Sequence, residues 1–371
     1  MAELRPLQVA GRIDRLRVAF EGAGIDALIV SNLVNVRYLT GFTGSAGTLV
    51  VTPETAVLTT DGRYRTQSAE QVSAAGLGGV VDVIIGGVGE QRDAIVAAVS
   101  ATPRVGLESN HVSWAEATRW EELLGRAPIA CSDVVEVLRE IKDDGEIDRM
   151  RRAASIADAA LAQVLPILAA TGTTPVSEVA FALALDTAMR SLGAEALAFE
   201  TIVAAGENSA KPHHSPTDRI IQPGEPVIID FGAMYEGYRS DMTRTIVAGT
   251  KPNAEVQAML DLVKASQAAG VQAVKPGVTT GSIDEVCRTV IAEAGMAERF
   301  EHSTGHGVGL DIHEAPWVAA TAETILEPGT VITVEPGVYV AGVGGVRIED
   351  TLVVTKDGAE ALTQFTKEVA A

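Results

Sequence analysis

Apolar and polar positions alternate along this chain in two rhythms, one helical and one of period two, and their order predicts a mixed α/β protein. Near the start, "RIDRLRVAFEGAG" spaces its apolar residues as the buried stripe of an amphipathic helix. "DALIV", "TLVVT" and "TAVLTT" predict strands, the last two around a proline-containing turn. "RYRTQSAEQVSAAG" predicts a helix, "VVDVIIG" a strand, "VGEQRDAIVAAVSA" a helix and "RVGLE" a strand. Residues 11–139 therefore predict a sheet covered by helices. "GAG" at 22–24 precedes a strand instead of following one, so it is not a dinucleotide fingerprint. The charged run "LREIKDDGEIDRM" at 138–150 marks a junction and divides the chain into domains 1–140 and 141–371.

Beyond the junction the chain repeats one supersecondary unit. In the first copy, "EIDRMRRAASIADAALAQVL" predicts a helix. Thr174 and Pro175 offer an N-cap and a first-turn proline to a second helix closing at Gly193. A polar segment with His213 and His214 leads into a hairpin from "QPGEPVIIDFG" to "TRTIVAG". In the second copy, "NAEVQAMLDLVKASQAAGVQAV" predicts a helix, and Ser282 with Glu285 a capping box for another that ends near Gly295. A segment with His302, His306 and His313 then leads into a hairpin from "EPGTVITVEPG" to "IEDTLVVT". Each hairpin opens on Pro-Gly and carries an acid six residues after the glycine, Asp230 after Gly224 and Glu335 after Gly329.

These acids change the picture. Asp230 lies in "VIIDFG", where an ionised carboxylate is costly unless it is paired or bound to a cation. With a four-residue loop at Met234–Gly237, Asp230 would pair with Asp241 on the returning strand. Directly opposed residues have Cβ atoms about 5 Å apart. Two carboxylates that close repel unless one is protonated or a cation lies between them. Glu335 and Glu349 repeat the arrangement. Arg244 and Arg347 lie nearby and could satisfy single acids, but four acids at matched positions in a duplicated hairpin point to a shared cation site. An oxygen-rich site with one imidazole suits Mn²⁺, Co²⁺, Fe²⁺ or Zn²⁺. His306, among Gly305, Gly307 and Gly309, would complete it. His313 is seven residues on, beyond reach of the same metal along an extended strand unless the chain bends, and is expected either to support a ligand from behind or to face the substrate. "HEAP" lacks the second histidine of H-E-x-x-H, which excludes a zincin.

Composition narrows the classes. The chain has 371 residues, 47% hydrophobic and 21% charged, as expected for folded globular domains. Its net charge of -20 disfavours nucleic acid. Two cysteines far apart make neither a disulfide framework nor a CxxC site, which fits a reducing cytoplasm. The N-terminus does not resemble a signal peptide, and no run approaches the ~18 apolar residues of a membrane span. A cytoplasmic protein without nucleic-acid or membrane partners is expected.

With these residues in place, the chain resembles the pita-bread metallopeptidases: aminopeptidase P, prolidase and methionine aminopeptidase. "NVRYLTGFTGSAG" and "TDGRY" resemble the creatinase/prolidase N-terminal domain that the Xaa-Pro peptidases carry. The resemblance implies an α/β N-terminal domain before a pseudo-twofold pita-bread domain. It implies two divalent ions per chain, Mn²⁺ first, on Asp230, Asp241, His306, Glu335 and Glu349. Glu335 would also handle the proton of the attacking water, as a catalytic residue beside His313 and His213. His213, His302, His313 and Arg347 would line the substrate pocket, with His214 competing for the role of His213. It further implies cleavage before proline in short peptides with proline second, with a lean toward aminopeptidase P over strict prolidase. A homodimer is implied, in which Asn35–Gly44 of one N-terminal domain closes the partner's site. Creatinase-like metal-free enzymes and non-enzymatic binding relatives lose these carboxylates; this chain keeps them.

Overall fold

The computed structural model describes residues 3–368. Its chain divides into two units, Pro6–Arg139 and the chain from Glu140 on together with the first residues.

The first unit runs α1 (Arg12–Ala23), β1 (Ala27–Val30), α2 (Leu33–Thr40), β2 (Thr48–Val51), β3 (Ala56–Thr60), α3 (Arg65–Ala74), β4 (Asp82–Ile85), α4 (Val88–Ala98), β5 (Val105–Glu108), α5 (Trp114–Leu124), β6 (Ile129–Cys131) and a single turn, α6 (Glu136–Arg139). The strands form one sheet in the order β4-β3-β2-β1-β5-β6, with β2 antiparallel to both its neighbours and β3–β4, β1–β5 and β5–β6 parallel. Ile13, Leu16 and Phe20 make the buried stripe of α1, which ends where Gly24 turns left-handed. Helices α2 and α5 have no counterpart in the periodicity reading. Both are set by caps: Asn32 accepts from the Val34 N–H and Ser113 from the Glu116 N–H.

The second unit opens on α7 (Asp144–Ala169), where Asp143 and Glu146 exchange the bonds of a capping box. This helix is long and apolar enough to cross a membrane by length and composition alone. Ile156, Ala157, Ala160, Leu161, Val164 and Leu168 are instead buried in a core with α8 (Glu178–Ser191). Ser177, not Thr174, caps α8: its hydroxyl accepts the Ala180 N–H at 3.2 Å, three residues past the place the Thr-Pro pair suggested. Then come β7 (Ala196–Leu197), β8 (Ile202–Ala205), β9 (Pro226–Phe231), β10 (Ala233–Tyr235), β11 (Tyr238–Arg239) and β12 (Met242–Val247). The second half repeats this with α9 (Ala254–Ala273), α10 (Thr280–Glu293), β13 (Gly305–Gly307), β14 (Glu314–Val318), β15 (Val331–Val334), β16 (Gly337–Val340), β17 (Gly344–Arg347), β18 (Asp350–Val354) and β19 (Ala359–Ala361). No Ser282–Glu285 capping box forms. Thr279 caps α10, and the Ser282 hydroxyl donates to the Thr279 carbonyl at 2.6 Å.

Two sheets carry the chemistry, β12-β9-β8 and β14-β13-β15-β18-β19. Period two sorts their side chains. Val227, Ile229 and Phe231 join the core under α7 and α8, while Ile332, Val334, Leu352 and Val354 join the core under α9 and α10. The alternate positions hold Asp230, Asp241, Thr243, Thr333, Glu335, Glu349 and Thr351 and therefore lie on the faces turned from the helices. Those faces meet: Thr243 Oγ1 donates to Glu349 Oε2 at 2.8 Å, and Thr351 Oγ1 to the Asp241 carbonyl at 2.8 Å.

Candidate metal centre

The first hairpin corrects the expected register. Tyr235 pairs with Tyr238 across a two-residue turn, Glu236-Gly237, with φ of 44° and 76°. Two left-handed residues make the tight turn that suits a twisted hairpin. The loop is two residues shorter than expected, so Asp230 faces Thr243, not Asp241. Asp241 instead stands just before β12. In the second hairpin Val334 pairs with Asp350 and Gly337 with Arg347, so the same count sets Glu335 opposite Glu349, at the gap between the two ladders.

His306 is the middle residue of β13, fully inside the fold. Its glycine neighbours are required by close approach: a Cβ on Gly305 would overlap the Thr333 carbonyl, and one on Gly307 the Ala315 carbonyl. The chain then reverses between β13 and β14, so His313, distant along a straight strand, lies edge-on to His306 with ring centroids 4.4 Å apart. The His313 ring also lies nearly parallel to Trp317, with centroids 6.4 Å apart.

Ligand atoms of Asp241, His306 and Glu349 lie within 4.8 Å of one another. His306 Nε2 is also 3.4 Å from Glu335 Oε1 and 3.5 Å from Asp241 Oδ2. Burial pushes the His306 imidazolium down to about 4, so the ring is neutral near pH 7. Its Nδ1 sits 3.0 Å from the Gly307 carbonyl, which can only accept, so Nδ1 carries the single proton. The Nε2 lone pair therefore points at the carboxyl groups of Asp241 and Glu335, which can share it only with a proton or a cation.

The carboxylates have the same unmet need. Burial, reinforced by neighbouring carboxylates, raises Asp241 and Glu349 well above the usual range. Burial also pushes Glu335 up to about 8, against the pull of Arg347. Asp230 Oδ1 and Glu349 Oε1 are buried without a hydrogen-bond partner. Of the four acids, among the described residues, only Asp230 pairs with an arginine: Arg347 Nη2 meets its Oδ2 at 2.6 Å. Arg244 pairs with Asp350 and with main-chain carbonyls, that of Glu349 among them, and reaches none of the four carboxyl groups. A neutral imidazole, buried carboxylates and orphaned oxygens make a donor set that fits divalent cations.

Around it lies a cavity of about 380 Å³, lined by His213, His302, His313, Arg347 and all five expected ligands, with apolar walls from Phe199, Ile202, Ile312 and Trp317. His213 lines this cavity; His214 turns away to Glu178, Nε2 to Oε2 at 3.0 Å. Arg347 is nearly committed. Beside Asp230 it donates to Thr243 Oγ1, Tyr339 Oη and the Pro212 carbonyl, using four of its five N–H groups. His302 Nδ1 donates to the Ser303 carbonyl, so Nε2 accepts from Tyr339 Oη at 2.8 Å. Arg347, Tyr339 and His302 thus form one directed chain. Tyr339, Trp317 and Glu178 were not legible as site residues: an aromatic on a strand and an acid at a helix start read as core and as cap.

Residues 148–356 match the model of metallopeptidase family M24, and residues 12–141 that of the creatinase/prolidase N-terminal domain. The chain belongs to metallopeptidase family M24. Among M24 relatives, an uncharacterized peptidase of Bacillus subtilis, YqhT, is 38% identical, with 96% of this chain and 99% of that one covered. The Xaa-Pro dipeptidase of Pyrococcus horikoshii is 36% identical, with 93% and 94% covered. Among solved structures, an Xaa-Pro dipeptidase from Bacillus anthracis superposes with TM-score 0.92 at 38% identity, covering 98% of this chain and all of the other. An X-Pro aminopeptidase from Thermotoga maritima does so with TM-score 0.85 at 32% identity, covering 95% of this chain and all of that one. This M24 chain is thus a peptidase, with the α/β N-terminal and pita-bread architecture of its family.

Proposed function

We propose that this M24 peptidase hydrolyses the bond preceding proline in Xaa-Pro dipeptides, with two divalent ions, Mn²⁺ first, held by Asp230, Asp241, His306, Glu335 and Glu349. The full-length likeness to Xaa-Pro dipeptidases, at TM-score 0.92 for that of Bacillus anthracis, carries the substrate class and favours a dipeptidase over the aminopeptidase P lean of the sequence. The ions, when bound, supply a water of lowered pKa and polarise the scissile carbonyl. Glu335 takes the proton of the attacking water at its carboxylate and delivers it to the proline nitrogen. His313 stabilises the charge that develops on the carbonyl oxygen, and His213 lines the same cavity. His302 acts as a neutral group, since burial and the nearby Arg347 charge push its imidazolium down to about 4. A bond before proline has no N–H, so a site that asks only for the carbonyl suits it.

In this reading the protein works in the cytoplasm as a homodimer, the N-terminal domain of one chain closing the partner's site. Within Asn35–Gly44, Asn35, Val36, Tyr38, Leu39, Thr40 and Phe42 are core residues of their own domain, which leaves Arg37 and Thr43 as the side chains able to reach a partner. Ala-Pro, Ala-Pro-Ala and Ala-Ala offered to the Mn²⁺-loaded protein test the proposal. Cleavage of Ala-Pro alone is expected. Equal cleavage of Ala-Ala would overturn the proline reading, and preference for Ala-Pro-Ala would return it to the aminopeptidase type.

A further inference from the structure

The loop of residues 206–217 carries two adjacent histidines, and the structure treats them oppositely. His213 lines the cavity, whereas the His214 side chain is only 9% exposed and meets Glu178. Glu178 is the first residue of α8 and is fully buried. A buried carboxylate needs donors, and this one takes all of them from one stretch of chain. Oε1 accepts from the Ala205 N–H at 2.8 Å and Asn208 Nδ2 at 3.0 Å. Oε2 accepts from Thr217 Oγ1 at 2.7 Å, the Thr217 N–H at 3.1 Å and His214 Nε2 at 3.0 Å. These donors lie on either side of His213 along the chain.

Burial pushes the Glu178 carboxyl up, but Thr217, Ala205, His214 and Asn208 together hold it below its usual value. It is therefore ionised near neutral pH and can only accept. His214 must then carry a proton on Nε2. The loop is tied a second time where the Gly345 N–H donates to Ser209 Oγ at 2.7 Å and Arg347 reaches the Pro212 carbonyl at 3.3 Å. With its neighbours on both sides held, the His213 backbone has little freedom.

We infer that Glu178 and His214 form a clamp that positions His213 at the substrate, so that one histidine of the doublet meets the peptide and the other holds the loop. The inference rests on the proposed role of His213. His214 and Glu178 are positioning residues: they touch neither the cavity centre nor the candidate ligands, and they act through His213.

A double-mutant cycle with a spectroscopic control tests it. His214→Ala should lower kcat/KM for Ala-Pro about fivefold or more, with metal content unchanged. His214→Gln, whose amide nitrogen stands near the place of Nε2, should recover most of the loss. In a His213→Ala background, His214→Ala should cost nothing further. Additive losses, or wild-type kcat/KM in His214→Ala, overturn the clamp. Independently of turnover, long-range ¹H–¹⁵N spectra of the metal-free protein should show His214 protonated at Nε2, and Glu178→Gln should release that tautomer. An Nδ1–H or averaging ring in the wild type overturns the clamp whatever the substrate. Wild-type protein that fails to cleave Ala-Pro while His214 keeps the Nε2–H signature would instead sink the proposed function.

Discussion

The two halves of the M24 unit look like copies, yet they bring their acids to the centre under different terms. In the first half, Asp230 faces Thr243 in the ladder and is paired with an arginine. That arginine, Arg347, comes from the second half. There Glu335 and Glu349 oppose each other and neither has a cationic side chain of its own. The unmet need for a cation therefore sits on Glu335, Glu349 and Asp241, whose carboxyls are all pushed up, while Asp230 is compensated across the seam by Arg347. Duplication supplied the positions; the balance of charge belongs to neither half alone.

The comparison breaks most sharply at the acids without an arginine. Asp241→Asn removes a carboxylate from the tightest cluster and should lower Ala-Pro turnover by roughly 10³-fold or more, with loss of at least one metal by elemental analysis. Turnover unchanged under metal limitation would refute the ligand assignment. Next, His313→Ala should lower kcat about 10²–10³-fold while the metal content holds. Metal lost in that variant would make His313 a ligand instead.

Arg347 tests the link between halves. Arg347→Met leaves the largely enclosed Asp230 carboxylate unpaired and should destabilise the metal-free protein by about 3 kcal/mol in urea. The penalty should shrink when divalent ions are present, because they also compensate Asp230. Equal penalties with and without metal would mean that Arg347 and the ions do not share that charge.

His302 gives the pH dependence. Its folded pKa is depressed to about 4, so between that value and 6.5 the unfolded chain binds the extra proton. Stability from this group is present above pH 6.5 and is lost as pH falls toward 4, by roughly 3 kcal/mol in total. His302→Gln should flatten that part of the acid limb in thermal melts recorded across the range. The smallest effect concerns register. Gly237 has φ 76°, and Gly237→Ala should cost about 1 kcal/mol of stability by straining the tight turn, with little change in kcat.

Much of the site was legible before the fold. "VIIDFG" placed Asp230 inside an apolar strand and "ITVEPG" placed Glu335 at the end of one, because period two and burial are local properties. The glycines around His306 announced a close approach without saying to what. Where local signals failed, the cause was competition between neighbours. Thr174 and Ser177 both suit an N-cap, as do Thr279 and Ser282, and packing chose one of each. The Asp230–Asp241 pairing failed by two residues because Glu236 accepts a left-handed backbone that favours glycine, which a count of residues does not foresee.

The residue pattern thus fixed which acids lie in or at the ends of buried strands, which histidines stand near them, and that the unit is doubled. These features come from periodicity and the cost of burying charge, which act within a few residues. Tertiary structure alone decided the partners. It folded His313 back onto His306, gave Arg347 to Asp230 across the seam, and turned His214 to Glu178 so that His213 meets the cavity. Such contacts join residues 7 to 117 positions apart, and no local preference specifies them. They arise because each buried polar atom must find a partner once the two sheets have met.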